Sequence, residues 1–176
     1  GRDPRKQANQ RGPATPGEAL SRRAPRRRAG AQDLCRFDHA STLRFLAVAG
    51  GRLAPGLALH VSDAIAPAEL IVMYGQTEAT ARLTCLDPEW LRRAPDAIGR
   101  PIPGVEIQVV DDGGREVEPG VTGTIRARGP GSCLGYWRDP DGSREILREG
   151  WLWTMDRGSV DGFGLLHHAG RADEVV

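Results

Sequence analysis

The stretch AELIVMYGQTEAT, residues 68–80, decides the fold. Leu70 to Met73 form a short apolar run that stops at Tyr74 and Gly75, the pattern of a buried strand entering a turn. Gln76, Thr77 and Glu78 follow, and two readings of them stand open. Thr77 offers a hydroxyl and a backbone N–H at a helix start, where anions are stabilised, and Glu78 offers carboxylate oxygens to Mg²⁺. Equally, Thr77 caps a helix whose first turn suits Glu78. Taken alone, the stretch favours the capped helix.

Working outward, TLRFLAVAGG (42–51) is a second apolar run, closed by two glycines, and PGLALHVSDAIA (55–66) suits a helix with Pro55 in its first turn. A helical crossover between two buried strands predicts that they run parallel. Ligands of such β-α-β layers sit beyond the carboxyl ends of the strands, where AGGR (49–52) and YGQT (74–77) both fall. QTEATARLTC (76–85) is expected to begin a further short helix or loop. After Pro95 the pattern turns β-rich. VEIQVVDDGGREV (105–117) reads as a hairpin about DDGG, GTIRARG (123–129) alternates, and WLWTMDRGSVDGFGLLHHAG (151–170) gives two short strands about an Asp-Gly turn. The predicted class is α/β: a partial β-α-β layer, then a small antiparallel β-barrel-like subdomain.

Composition sets the bounds. The 176 residues hold 23 Gly and 13 Pro, a loop-rich or β-rich balance. A net charge of +1 conceals a split: residues 1–40 carry ten Lys/Arg against four Asp/Glu, and residues 41–176 carry fourteen against nineteen. Residues 1–40 read as a disordered Arg/Pro-rich arm, without the apolar period needed to offset ordering. SRRAPRRR (21–28) is able to bind phosphate backbones, but no aromatic is interleaved for stacking, which disfavours nucleic acid as a partner. Cys35, Cys85 and Cys133 are odd in number and lack C-x-x-C spacing, so neither zinc nor a disulfide framework is indicated. No apolar run approaches the roughly 20 residues of a membrane helix, and no secretory h-region opens the chain. A cytoplasmic protein is the expectation.

Other candidates carry open readings too. Asp156, expected in a turn between aromatic-rich segments, suits both hydroxyls of a ribose or simply its own turn. Arg171 suits a nucleotide or a pair with Asp173. His167 and His168 point to opposite faces if they lie on a strand, so one metal ion cannot easily take both, and both read as structural. His60, Ser62 and Asp63 have the wrong helical spacing for a triad. G-x-S-x-G and Walker A motifs are missing.

AGGRLAP (49–55), YGQTEA (74–79), IGRPIPGVEIQVVD (98–111), GTIRARGPGSCLGYW (123–137), GWLWTMDRG (150–158) and GRADEVV (170–176) occur together and in this order. Over residues 41–176 the set resembles the AMP-binding superfamily of adenylate-forming enzymes, which includes acyl-CoA synthetases, luciferases and peptide-synthetase adenylation domains. The resemblance implies a carboxylic acid substrate activated by ATP to an acyl-adenylate, then transfer to a thiol, usually that of coenzyme A. It implies that Gly51, Arg52 and Leu53 line the adenine side, that Tyr74 packs against the base, and that Gly75 and Gln76 complete the wall. Thr77 would contact the α-phosphate, Glu78 would hold Mg²⁺, Asp156 would bind the ribose hydroxyls and Arg171 would assist. Asp173 matches the family's hinge. The implied organisation is an arm over 1–40, a partial nucleotide-binding subdomain over 41–97, a barrel-like subdomain over 98–169 and a hinge stub over 170–176.

The departures matter as well. Where the family has a Gly/Ser/Thr/Lys-rich phosphate loop, this chain has its Arg/Pro-rich arm, and Lys6 is its sole lysine. The family's C-terminal lysine has no counterpart, so a ligase fragment of weak or no activity alone is expected, open to rescue by a separately encoded C-terminal domain. Met155 stands where the family usually has glycine and is expected to crowd the ribose turn. Thr124 replaces a more common Glu. The rival readings are a non-catalytic nucleotide-binding or interaction module with a nucleic-acid-contacting basic arm, and a fragment whose uncovered sheet prevents stable folding.

Overall fold

A computed structural model describes residues 42–80 and 82–172. The arm, Lys6, Cys35 and Asp173 lie outside the described residues.

The first strand, β1 (Phe45–Val48), leads through Gly50 and Gly51 to helix α1 (Pro55–Ile65). Pro55 starts that helix without disturbing it, since the first N–H groups of a helix have no intrahelical partner. Strand β2 (Glu69–Tyr74) returns alongside β1 and parallel to it, Ala47 opposite Ile71 and Val48 opposite Val72. The predicted crossover is therefore present, and both glycine-bearing turns leave the carboxyl ends of parallel strands. Ala58 and Ile65 of α1 pack on Leu70 and Val72 of β2, with Leu86, Leu91 and Leu165 completing this core.

After β2, residues 77–79 form a single 3-10 turn, within the short helix or loop expected there; the unexpected element is strand β3 (Thr84–Leu86), into which the chain then reverses. β3 pairs antiparallel with β2, Met73 opposite Cys85 and Tyr74 opposite Thr84. Thr84 and Cys85 are suited to a strand by their short or branched side chains, but the three-residue run is too brief to register as a periodic pattern. A one-turn helix, α2 (Pro88–Leu91), capped by Asp87, leads to β4 (Ala97–Pro101).

β4 joins the two halves of the sheet. It pairs with β3 through Arg100 and Pro101, and with the last strand through Ala97 and Gly99. Gly99 has φ 92°, and a Cβ there would overlap the Cys85 carbonyl and the Leu86 nitrogen, so only glycine permits this crossing. Beside it the buried Thr84 hydroxyl donates to the Ile98 carbonyl.

The remaining elements are β5 (Glu106–Val110), β6 (Gly123–Arg128), helix α3 (Pro140–Ile146), β7 (Leu147–Arg148), β8 (Trp151–Val160) and β9 (Leu166–Arg171). The sheet runs β1-β2-β3-β4-β9-β8-β6-β5, with β7 on β8. It is one continuous path that does not close, so the barrel-like portion is an open antiparallel sheet. The DDGG turn forms as read, with Asp111 accepting from the N–H groups of Gly113 and Arg115 at 2.9 Å each. Its return is only a bridge between Val110 and Glu116, because β6 takes the place of a hairpin partner for β5. β8 is ten residues long, not short, and it supplies the second core through Leu152, with Ile125, Ala127, Val109 and Leu166. On the opposite face of β8, Trp151 and Trp153 interleave with Arg126, Arg128 and Arg148, ring to guanidinium at 4.5 to 5.6 Å. Among the described residues no helix is long and apolar enough to cross a membrane.

Candidate functional site

The carboxyl ends of β1 and β2 open onto a cleft of about 1050 Å³, whose far wall is the middle of β8 and the end of β9. Gly51, Arg52, Leu53, Tyr74, Gly75, Gln76, Thr77, Glu78, Asp156 and Arg171 all border it. Residues as far apart in sequence as Gly51 and Arg171 are thus brought to one place. The space over the β1 turn is open: apart from the glycines and their chain neighbours, no atom of the described residues lies within 4 Å of where a Cβ on Gly50 or Gly51 would sit.

Asp156 is the hub of the inner wall. It does not lie in a turn, as its sequence neighbours suggest, but inside β8, opposite Arg171 and only 5% exposed. Its Oδ2 accepts from the Tyr74 hydroxyl and from Gln76 Nε2, both at 2.7 Å. Its Oδ1 lies 3.5 Å from His168 Nε2 and 3.7 Å from an Arg171 guanidinium nitrogen. Burial alone would raise this carboxyl, but bonds from His168, Tyr74 and Gln76 outweigh burial and hold it below the usual carboxylate range. The same burial, reinforced by the Asp156 charge, pushes the Tyr74 phenol far above its ordinary value, so it stays a donor. Gln76 also donates to the Thr154 carbonyl at 2.7 Å, and the Thr154 hydroxyl donates to the Ile125 carbonyl at 2.8 Å. These bonds tie β2, β6 and β8 together beneath the cleft floor.

Arg171 meets Asp156 on the neighbouring strand. Met155, beside Asp156, has φ 60°, a left-handed conformation in which a Cβ is strained, and its side chain is 42% exposed at the cleft. The position asks for glycine and carries methionine.

The outer wall differs. Gln76 occupies the cap position of the 3-10 turn and spends its side chain on Asp156 and Thr154, so Thr77 opens that turn rather than capping it. The capped-helix reading of the opening stretch is thereby corrected in one respect: Glu78 lies in the first turn, but Gln76 and not Thr77 holds the cap position, and the turn is a single 3-10 turn. Glu78 Oε1 accepts from the Tyr136 hydroxyl at 2.6 Å, and the Cys133 N–H donates to the Glu78 carbonyl at 2.7 Å. The bond to Glu78 pushes the Tyr136 phenol up to about 12.

Two cleft residues escaped the sequence reading. The sequence reads His168 and His167 alike as structural, yet only His167 turns away, bridging Asp96 and Asp161 at 3.1 Å each. His168 faces the cleft and lies 6.0 Å from the Tyr74 ring, centroid to centroid. The alternation of strand faces contained that signal. Tyr136 sits in the quoted stretch GTIRARGPGSCLGYW, but nothing in spacing links it to Glu78. No cluster of three or more His, Cys, Asp or Glu among the described residues is arranged to hold a metal ion. A cation here would rest on Glu78 together with oxygens brought by a ligand.

With this geometry in view, the family model for the AMP-binding enzyme matches residues 6–137. The chain belongs to the AMP-binding enzyme family. It is 34% identical over 136 residues to a long-chain-fatty-acid–CoA ligase of Yersinia pestis, covering 77% of this chain and 24% of that one. It is 36% identical over 107 residues to an indoleacetate–CoA ligase of Aromatoleum aromaticum, covering 61% of this chain and 21% of that one. The chain therefore spans about a quarter of the length of these AMP-binding relatives. Among solved structures, the amide bond synthetase McbA of Marinactinospora thermotolerans superposes with TM-score 0.70 at 34% identity, over 74% of this chain and 26% of that one. The o-succinylbenzoate coenzyme A synthetase of Bacillus subtilis, in complex with ATP and magnesium ion, superposes with TM-score 0.71 at 25% identity, over 77% of this chain and 28% of that one.

Proposed function

We propose that this AMP-binding chain carries the nucleotide side of an AMP-forming acid ligase. In that reaction a carboxylate oxygen attacks the α-phosphorus of ATP, the bond to the β-phosphate breaks, and pyrophosphate leaves an acyl-adenylate. A thiol, with coenzyme A the natural acceptor given the two CoA ligases it resembles, then takes the acyl group and releases AMP. The observation that most supports this reading is the meeting of Tyr74, Gln76 and Asp156 at one ionised, buried carboxylate beneath an open cleft.

The residues present fit ATP and Mg²⁺. The cleft is large enough for a nucleotide, the glycines of the β1 turn leave open space at its rim, and Glu78 and Asp156 supply carboxylates at separate points. Gly51, Arg52 and Leu53 would border the base, with Gly75 and the backbone of Tyr74 opposite. Tyr74 is buried and its hydroxyl donates to Asp156, so its contribution is to fix that carboxylate as much as to meet the base. Asp156 would accept from the ribose hydroxyls, exchanging its contacts with His168 and Arg171 for them. Thr77 would present its hydroxyl to the α-phosphate, and Glu78 would hold Mg²⁺. Held there, Mg²⁺ would supply charge neutralisation to the phosphates.

The described cleft is bordered by Arg52, Arg171 and His168 and by no lysine. Phosphoryl transfer depends on positioned cations, so this chain alone is expected to bind nucleotide while turning over weakly. Calorimetric titration of the full chain with ATP and Mg²⁺, beside Glu78→Gln and Asp156→Asn, tests the assignment. Each substitution is expected to weaken binding by about tenfold or more, the loss of one charge-assisted contact. Affinity indifferent to both substitutions would refute it.

A further inference from the structure

Tyr136 faces Glu78 across the mouth of the cleft, and its surroundings hold it there. The loop of residues 129–139 is fastened to the 77–80 turn at three points. The Tyr136 hydroxyl donates to Glu78 Oε1 at 2.6 Å, and the Cys133 N–H donates to the Glu78 carbonyl at 2.7 Å. Gly131 lies against Thr80 and the Ala79 carbonyl so closely that a side chain there would force them apart. The other side of the loop is fastened to α3. The Tyr136 N–H donates to Ser143 Oγ at 2.7 Å, and that hydroxyl donates to the Asp139 carbonyl at 2.6 Å. Gly135, at φ 134°, allows the approach, since a Cβ on it would press on Ser143 Oγ. Both the backbone and the ring of Tyr136 are therefore set before any ligand arrives.

The chemistry of the contact is specific. A lysine or arginine on Glu78 would orient the carboxylate but also neutralise it, competing with a cation. A phenol orients it without a charge: one oxygen is engaged, the other remains for a ligand, and the full negative charge is kept. Held otherwise only by its own rotamers, a glutamate side chain would have to be ordered when the ion binds, a cost that preorganisation removes.

We propose that Tyr136 is a positioning residue, which fixes Glu78 for a divalent cation carried by a nucleoside triphosphate. The proposal rests on the ligase reading above and adds a residue to it. Tyr136 touches neither nucleotide nor ion; it acts through Glu78.

The test uses the full chain and Mn²⁺, with free Mn²⁺ read by electron paramagnetic resonance in the presence of saturating ATP, and metal-free ATP affinity read by calorimetry. Tyr136→Phe, which keeps the ring and removes the donor, is expected to weaken Mn²⁺ binding by about 10- to 100-fold while metal-free ATP affinity stays as in the parent. In a Glu78→Gln background the same change is expected to have no further effect, which a merely structural role would not produce. Unchanged Mn²⁺ affinity in Tyr136→Phe, or an equal loss in the Glu78→Gln background, overturns the proposal. Mn²⁺ binding in the parent that ignores Glu78→Gln overturns the ligase reading of Glu78, and this proposal with it. Dependence on Glu78 without dependence on Tyr136 overturns this proposal alone.

Discussion

His167 and His168 are adjacent, yet they belong to different parts of the molecule. His168 meets Asp156 in the cleft, while both ring nitrogens of His167 face carboxylate oxygens, those of Asp96 and Asp161. Only a protonated imidazole donates from both nitrogens. Burial lowers the His167 pKa, but the two carboxylates raise it more, and the net is above the ordinary value. Asp161 is raised by burial and lowered further by the Leu165 and Phe163 N–H groups and His167, for a net depression. The signs define a window. The His167 contribution is complete below about pH 6.5, its unfolded value, and fades as pH rises through the raised folded value; the Asp161 contribution is complete above about pH 3.9 and fades as pH falls. Urea unfolding of the parent and His167→Asn at pH 5.5 and pH 9 should show a larger stability difference at the lower pH. A difference that is equal or larger at pH 9 would show that the ion pairs do not form as described.

Among the elements, β4 decides whether there is one sheet or two. Gly99 lets β4 press on β3 while pairing with Leu166 of β9. Gly99→Ala adds a left-handed backbone penalty to an overlap with Cys85, together about 3 kcal/mol. Urea unfolding should report a loss of that order; a loss below about 0.5 kcal/mol would mean that β4 does not cross β3 here. This crossing shows what the sequence could and could not reveal. The β-α-β unit was legible because Leu46, Val48, Leu70 and Val72 lie in two short apolar runs about a Pro-started helix. The Asp111 and Asp161 turns were legible from their glycines. β3 was not, being three residues long, and the sequence places Asp156 in a turn because it falls between aromatic-rich segments. A ten-residue strand overrode that local preference through its pairing with β6 and β9.

At the scale of the whole molecule, the cleft exists because an open sheet brings the ends of β1 and β2 over the middle of β8. Motif order indicated that Tyr74, Gln76 and Asp156 share a function, whereas their bonding through one carboxylate is a matter of tertiary packing that spacing does not encode. Tyr136 was hidden for the same reason, since it lies 58 positions from Glu78. The central claim is that a nucleotide seats in this cleft with its base between the β1 turn and the end of β2. Photolabelling of the full chain with 8-azido-ATP, followed by tryptic mapping, addresses it most directly. Label suppressed by excess ATP and carried on residues 45–52 or 53–82 is the expected result; label confined to residues 1–44 or 116–126 would contradict it.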